Sequence, residues 1–464
     1  MTLSEDSCRW IDTASAGCWS FVEAMTTGRR RDILVWLCNI GAEQVWHPAT
    51  GGITDREEDR AVHRMEEMNL LLCRRQDVLL LREVPDKEFL RDLEALGFEI
   101  PRILCPAGAG ADPYTPIAEL VLKDAELLRQ LEALAGPQVY FLPYAVTERE
   151  EEIAARTGLR LIGPSSRAAA AINDKAANRA MAQMLGLPVC RGTICRSAEE
   201  LLEAYEQLYV PGASFIVKDP YSASGRGLHL VESPERMKGL VKRLMRFGRR
   251  SPETGWILEE WIEKSGDYNY QLFIREDGEI EVFSLKGQLL EGTVYRGSHL
   301  EADRGPDLPA PFREYGQRIG KALYTLGYQG MAGVDAIRAA DGTLIPLIEV
   351  NGRFTLSTYL SFVTEVLAPA AAFVSRYFRL VTRTPLTYSS LKTRLEAEGL
   401  VYRADSGEGV LVYTSGTLPQ AAEGGSGRCV GRVFVLIAAA SRERLSGLES
   451  GLESLLNHIQ QEGE

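Results

Sequence analysis

Residues 330–353 read GMAGVDAIRAADGTLIPLIEVNGR, and the fold turns on how that stretch is read. Two apolar or alternating runs flank Asp341-Gly342, a dipeptide that tolerates the left-handed backbone of a two-residue turn, so the stretch predicts an antiparallel hairpin. Side chains alternate faces along a strand. Glu349 and Asn351 therefore share one face, Arg353 lies beyond them, and the hairpin folds Asp335 back beside Glu349. Two acids held together among apolar residues repel unless a cation joins them. Hard oxygen donors from two strands suit Mg²⁺, which takes one or two carboxylates together with phosphate oxygens and water.

Upstream, Asp277-Gly278 marks a second hairpin of the same kind, and the pair predicts an antiparallel sheet from about 255 to 351. FIVKDP ends a strand at Lys218 and runs into Tyr221-Ser-Ala-Ser-Gly-Arg-Gly227. A fixed positive charge beside backbone N–H groups that no Cβ obstructs is what phosphate binding needs, although a plain β-turn reads the same way. No GKS or GKT follows, so this is not a Walker A loop. WILEEWI, residues 256–262, carries Glu259 and Glu260 inside an apolar strand. Such carboxylates either face water on an edge or bond to something, a nucleotide's amino group or ribose among the options.

Toward the N-terminus, apolar runs at 32–39, 77–84, 100–105, 138–142 and 159–162 alternate with helical patterns, one of them opened by Thr147 with Glu150 in capping-box spacing. Strands separated by helices build βαβ units and a mostly parallel sheet. The expected fold class is thus an α/β Rossmann-like N-terminal domain, α+β lobes after it, and a small C-terminal α+β module, with boundaries at 1–165, 166–384 and 385–464. A long apolar helix is expected near 357–378 and a final helix near 441–457.

The 464 residues hold 64 Asp and Glu against 52 Lys and Arg, a net charge of −12, and are 45% hydrophobic, the composition of a globular chain. Acidity without a long basic block argues against a nucleic-acid partner. No apolar run reaches membrane-spanning length, so no membrane partner is expected. The eight cysteines form no CxxC and the five histidines are dispersed, which reads as reduced thiols in a cytoplasmic protein without a zinc site.

In order, NDK (173–175), VKD (217–219) with its Gly/Ser loop, LEEWI (258–262), VD (334–335) and EVNGR (349–353) resemble the ATP-grasp superfamily of carboxylate ligases over about 165–360. The segment before them is similar to the pre-ATP-grasp domain of those enzymes. The resemblance implies ATP and Mg²⁺ as cofactors, with two ions and with Mn²⁺ able to substitute. It implies that Lys175 and Lys218 hold the phosphates, with Ser222, Ser224, Gly225 and Gly227 closing over them. Glu259 would approach the adenine amino group, with backbone groups of Glu260 and Ile262 beside it. Asp267 or Asn269 would face the ribose, where the family more often has Glu or His. Asp335, Glu349 and Asn351 would bind metal, and Arg353 would stabilise the transferred phosphoryl group. Lys286 and Arg296 are further cations that could meet the substrate carboxylate or the acyl phosphate, a solvated loop charge being the other reading of Arg296.

The function so implied is ADP-forming ligation of an amino acid or small carboxylic acid to an amine, in natural-product (antibiotic) biosynthesis. The C-terminal module looks like the extra domain of natural-product peptide ligases. The alternative is the same chemistry with a thiol acceptor, loading an amino acid on an acyl carrier protein, against which the net negative charge weighs slightly. A phosphotransferase on the same scaffold is less favoured. A non-catalytic regulator is disfavoured because the whole set of acids and cations is present. Partners are then small carboxylate and amine substrates, and many such enzymes are homodimers.

Overall fold

A computed structural model describes residues 32–46, 56–220, 227–247, 255–292, 294–300, 308–367, 372–421 and 427–462. The N-terminal sheet comprises β1 (Ile33–Leu37), β2 (Val78–Leu80), β3 (Arg102–Leu104), β4 (Val139–Pro143) and β5 (Arg160–Leu161). All its pairings are parallel, in the order β3-β2-β1-β4-β5. Parallel strands are covered on both faces, which is why β1 and β4 are apolar and buried almost throughout. The helices begin where side chains can cap them. Asp86 and Asp124 accept from the first turns of Lys87–Ala95 and Ala125–Leu134, and Thr147 with Glu150 forms the expected capping box on Glu148–Thr157. Strand order reverses between β1 and β4, which opens a crevice at their carboxyl ends.

A four-stranded antiparallel lobe follows, made of β6 (Gly192–Cys195), β7 (Phe215–Lys218), β8 (Leu228–Val231) and β9 (Trp256–Glu260) in the order β6-β9-β7-β8. The WILEEWI strand is thus central in the small lobe and not an edge, and the larger sheet begins after it, later than the expected 255. Helices Ala198–Leu208 and Pro234–Phe247 contribute Leu201, Tyr205, Met237 and Leu240 to the core of this lobe.

The large sheet comprises β10 (Lys264–Ile274), β11 (Ile280–Glu291), β12 (Val294–Leu300), β13 (Gly330–Ala339), β14 (Leu344–Asn351), β15 (Ala372–Thr382), β16 (Gly409–Val412), β17 (Gln420–Ala421) and β18 (Cys429–Ala439). Its order is β14-β13-β10-β11-β12-β15-β18-β16, with β17 paired to β18. Both Asp-Gly hairpins form, with Gly278 and Gly342 at φ 86° and 89°. The apolar stretch expected as one helix near 357–378 is instead a helix, Leu356–Val366, followed by β15. AFVSRYFRLVT is rich in the β-branched and aromatic residues that suit a pleated surface, and it is paired on both edges, to β12 and β18. The C-terminal module therefore shares the large sheet through β15 and β18, and its last helix, Arg442–Glu462, packs on those strands. Among the described residues, no helix is long and apolar enough to cross a membrane.

Candidate functional site

Register builds the site. Across β14, β13, β10 and β11 one row reads Glu349, Asp335, Asn269, Lys286, and the next row on the same face reads Asn351, Gly333, Gln271, Ser284. This is a polar face that the fold buries: Gln271 and Asn269 are 0% and 1% exposed. Buried polar atoms need partners, and here they find one another. Asp335 accepts from Asn269 Nδ2 at 2.7 Å, Gln288 Nε2 at 3.0 Å and Asn351 Nδ2 at 3.1 Å. Even so, burial and the facing Glu349 carboxylate push the Asp335 carboxyl up to about 6. Glu349 is met by Lys175, whose Nζ lies 2.7 Å from Oε1.

The donor set fits a hard divalent cation. Among the described residues no group of three or more His, Cys, Asp or Glu could hold a metal. What the site offers is two facing carboxylates and amide groups, a set that Mg²⁺ completes with phosphate oxygens and water. The ammonium of Lys175 already neutralises one of the two acids, and a bound cation would relieve the repulsion that raises the other.

A narrow slot of about 10 Å³ lies between the small lobe and β14. Val189, Ile257 and Leu347 line its apolar part, and Lys175, Arg179, Lys218 and Glu259 its charged part. The cations at one end suit phosphates, while a volume of about 10 Å³ leaves room for one water and not for a base. Lys218 Nζ is 2.5 Å from Glu259, and Arg179 holds the other carboxylate oxygen. Burial alone would raise the Glu259 carboxyl, but Lys218 and Arg179 outweigh it and hold the group below its ordinary value. Both Glu259 oxygens are thus engaged, one by Lys218 and one by Arg179. Arg179 was missed from sequence, although it sits one helical turn after Lys175 on the same face. Its guanidinium also donates to the carbonyls of Cys190 at 3.0 Å and Gly192 at 2.7 Å.

Glu260 accepts from Arg191 Nε at 2.8 Å, and Ile262 is half-buried just beyond β9. Of the two ribose candidates, Asn269 belongs to the carboxylate cluster, because its amide donates to Asp335 and accepts from Gln271. Asp267 is paired with Lys264 at 2.7 Å. Ser222, Ser224 and Gly225 lie outside the described residues. Gly227 is described: it adopts φ 71° and its carbonyl accepts from Asp219 N at 2.8 Å.

Arg353 donates to Tyr144 Oη at 2.9 Å and to the Phe354 carbonyl at 3.0 Å, with its guanidinium carbon 5.4 Å from the centre of the Tyr144 ring. Tyr144 directly follows β4, so the crevice of the parallel sheet opens onto this arginine. Its place at a strand's carboxyl end next to the order reversal was the signal that could have found it. Lys286 is 4% exposed, donates to Ser284 Oγ at 2.7 Å, and has no ion pair among the described residues. Burial lowers its ammonium to about 7. Arg296, the other expected substrate cation, is engaged elsewhere: it pairs with Glu291 at 2.7 Å and lies 5.7 Å from the Tyr377 ring centre.

Three family models match in chain order: the Pre ATP-grasp domain over 65–159, the ATP-grasp domain over 180–354 and the PGM1 C-terminal domain over 390–452. A Niallia circulans protein, the [butirosin acyl-carrier protein]–L-glutamate ligase, is 26% identical over 332 residues, 70% of this chain and 73% of that one. The L-propargylglycine–L-glutamate ligase of Streptantibioticus cattleyicolor is 26% identical over 397 residues, 76% of this chain and 78% of that one. This chain is an ATP-grasp ligase. Solved structures agree on the ligase's fold. Biotin carboxylase of Campylobacter jejuni superposes with a TM-score of 0.53 at 14% identity, covering 91% of each chain. N5-carboxyaminoimidazole synthase of Aspergillus clavatus superposes with a TM-score of 0.51 at 13% identity, covering 92% of the ligase and 99% of that chain. ATP and Mg²⁺ are what an ATP-grasp site takes, and the facing carboxylates above suit the cation.

Proposed function

We propose that the ligase joins an amino acid or small carboxylic acid to an amine through an acyl phosphate, releasing ADP and phosphate, in natural-product biosynthesis. The observation that carries this reading is the facing pair Asp335 and Glu349, met by Lys175 and gathered with Asn351. Asp335, Glu349 and Asn351 would hold Mg²⁺, two ions in this reading, which when bound neutralises the triphosphate and the charge that develops on transfer. Lys175 and Lys218 hold phosphate oxygens. The carboxylate of the donor attacks the γ-phosphorus, the β–γ bond breaks, and ADP leaves. Arg353, braced on Tyr144, stabilises the phosphoryl group in flight. Lys286 holds the donor carboxylate, a buried cation whose missing counter-ion the substrate supplies. The acceptor nitrogen then attacks the acyl carbon and phosphate departs.

An amino acid among the substrates is supported by the two relatives, both named for L-glutamate ligation. A thiol acceptor on a carrier protein is the second reading, favoured by the name of the Niallia circulans relative. The test is hydroxylamine trapping. Mg-ATP with a panel of single amino acids should give ADP and the hydroxamate of one of them, whereas ATP turnover that yields no hydroxamate would refute an acyl phosphate.

A further inference from the structure

The net charge of −12 conceals a basic surface that register assembles. On β15 and β18, Arg379 stands directly opposite Arg432, and the ladder ends at Thr382 and Cys429 with Arg383 and Arg428 immediately beyond. Arg432 lies against the Tyr377 ring at 4.6 Å, and Arg296 approaches the same ring at 5.7 Å. Arg379 and Arg383 are exposed and have no carboxylate partner among the described residues. Alternation places Arg379, Tyr377 and Ser375 on one face of β15, and Ser375 pairs with Ser298, which pairs with Gln288 beside Lys286. The arginines and the active site thus share a face of the sheet, while Arg376, turned the other way, is bound to Glu449 and Glu453. From Lys286 on β11 to Arg379 on β15 are two strand spacings, about 10 Å across, and six residues, about 20 Å along the strand, or roughly 22 Å in all. That span is too long for an amino acid and is of the length that an extended phosphopantetheine arm bridges.

We infer that the arginine face of β15 and β18 docks an acidic carrier protein whose phosphopantetheine thiol reaches the acyl phosphate at Lys286 and Arg353. The inference rests on the thiol-acceptor form of the proposed function. Sulfur attacks the acyl carbon, the bond to the phosphate oxygen breaks, phosphate leaves, and the thiol proton passes to solvent. The arginines supply encounter and orientation for an acidic partner, and their contribution is sensitive to salt.

The test compares the intact ligase with the double variant Arg379→Glu/Arg383→Glu, using a phosphopantetheinylated acidic carrier protein, free phosphopantetheine and hydroxylamine as acceptors. The double variant should lose about tenfold or more in kcat/KM for the carrier, the scale of electrostatic steering, with hydroxamate formation unchanged. The carrier reaction of the intact ligase should also weaken with salt more steeply than that of the variant. Equal carrier kinetics in both proteins would overturn the docking surface. Hydroxamate formation without any transfer to the carrier would overturn it too, while leaving acyl-phosphate chemistry standing. Failure to form hydroxamate would remove the underlying function as well.

Discussion

At the residue scale, two side chains carry opposite burdens. Glu349 is indispensable if the facing acids hold Mg²⁺, so Glu349→Ala should lower turnover at least about 100-fold, since removing even a group one shell out from a metal acts on that scale. Activity within a few-fold of the parent, measured at saturating Mg-ATP, would contradict the assignment. Lys286 is a cation buried without an anion, which the fold tolerates at a cost. Lys286→Met should therefore abolish use of the donor acid and yet raise the Tm by about 2 °C or more near neutral pH. The sign with pH follows from the direction of the shift. The folded ammonium titrates near 7, below the ordinary lysine value, so the full cost of burying charge is present below pH 7 and fades as pH rises toward that ordinary value. The stability gained by Lys286→Met should shrink over the same interval, and a gain independent of pH from 6 to 10 would show that the lysine is not buried as a charge.

At the element scale, capping and turn chemistry were legible because they are local. Thr147 with Glu150 and both Asp-Gly turns do in the fold what their spacing promised. The stretch from 357 to 378 was misread because its apolar residues satisfy helical and strand patterns alike, and only the neighbouring strands β12 and β18 decide for β15. The pairing of Glu259 with Lys218 and Arg179 was hidden for the same kind of reason: it joins a helix and two strands that are distant in sequence. So was the tie between the 3₁₀ segment Arg64–Leu71 and the C-terminal module. Glu67, fully buried, accepts from the backbone of Ser415 and Gly416 and pairs with Arg64 at 3.3 Å. Glu67→Ala would leave two N–H groups and the Ser415 hydroxyl without their acceptor, while Arg64 keeps Glu83, and should cost about 2–4 kcal/mol by denaturant unfolding. A loss below about 1 kcal/mol would mean that water takes the place of the acid.

At the scale of the whole molecule, three sheets converge on one site. The parallel sheet brings Tyr144 to Arg353, the small lobe brings Lys218, and the large sheet supplies the carboxylates and Lys286. The EVNGR hairpin and the Lys218 loop were enough to suggest this arrangement from sequence. Arg179, Tyr144 and the amides of Asn269, Gln271 and Gln288 were not, because an amide or a tyrosine announces nothing until register places it. Residue charges likewise sum to −12 while the fold collects arginines at one end of β15 and β18, so a bulk charge says little about a local partner. The central claim is acyl-phosphate ligation, and the nucleotide product tests it most directly. With Mg-ATP, a donor acid and an acceptor together, ADP and phosphate should appear in step with the ligated product and only when both substrates are present; AMP and pyrophosphate would mean adenylate chemistry and contradict it.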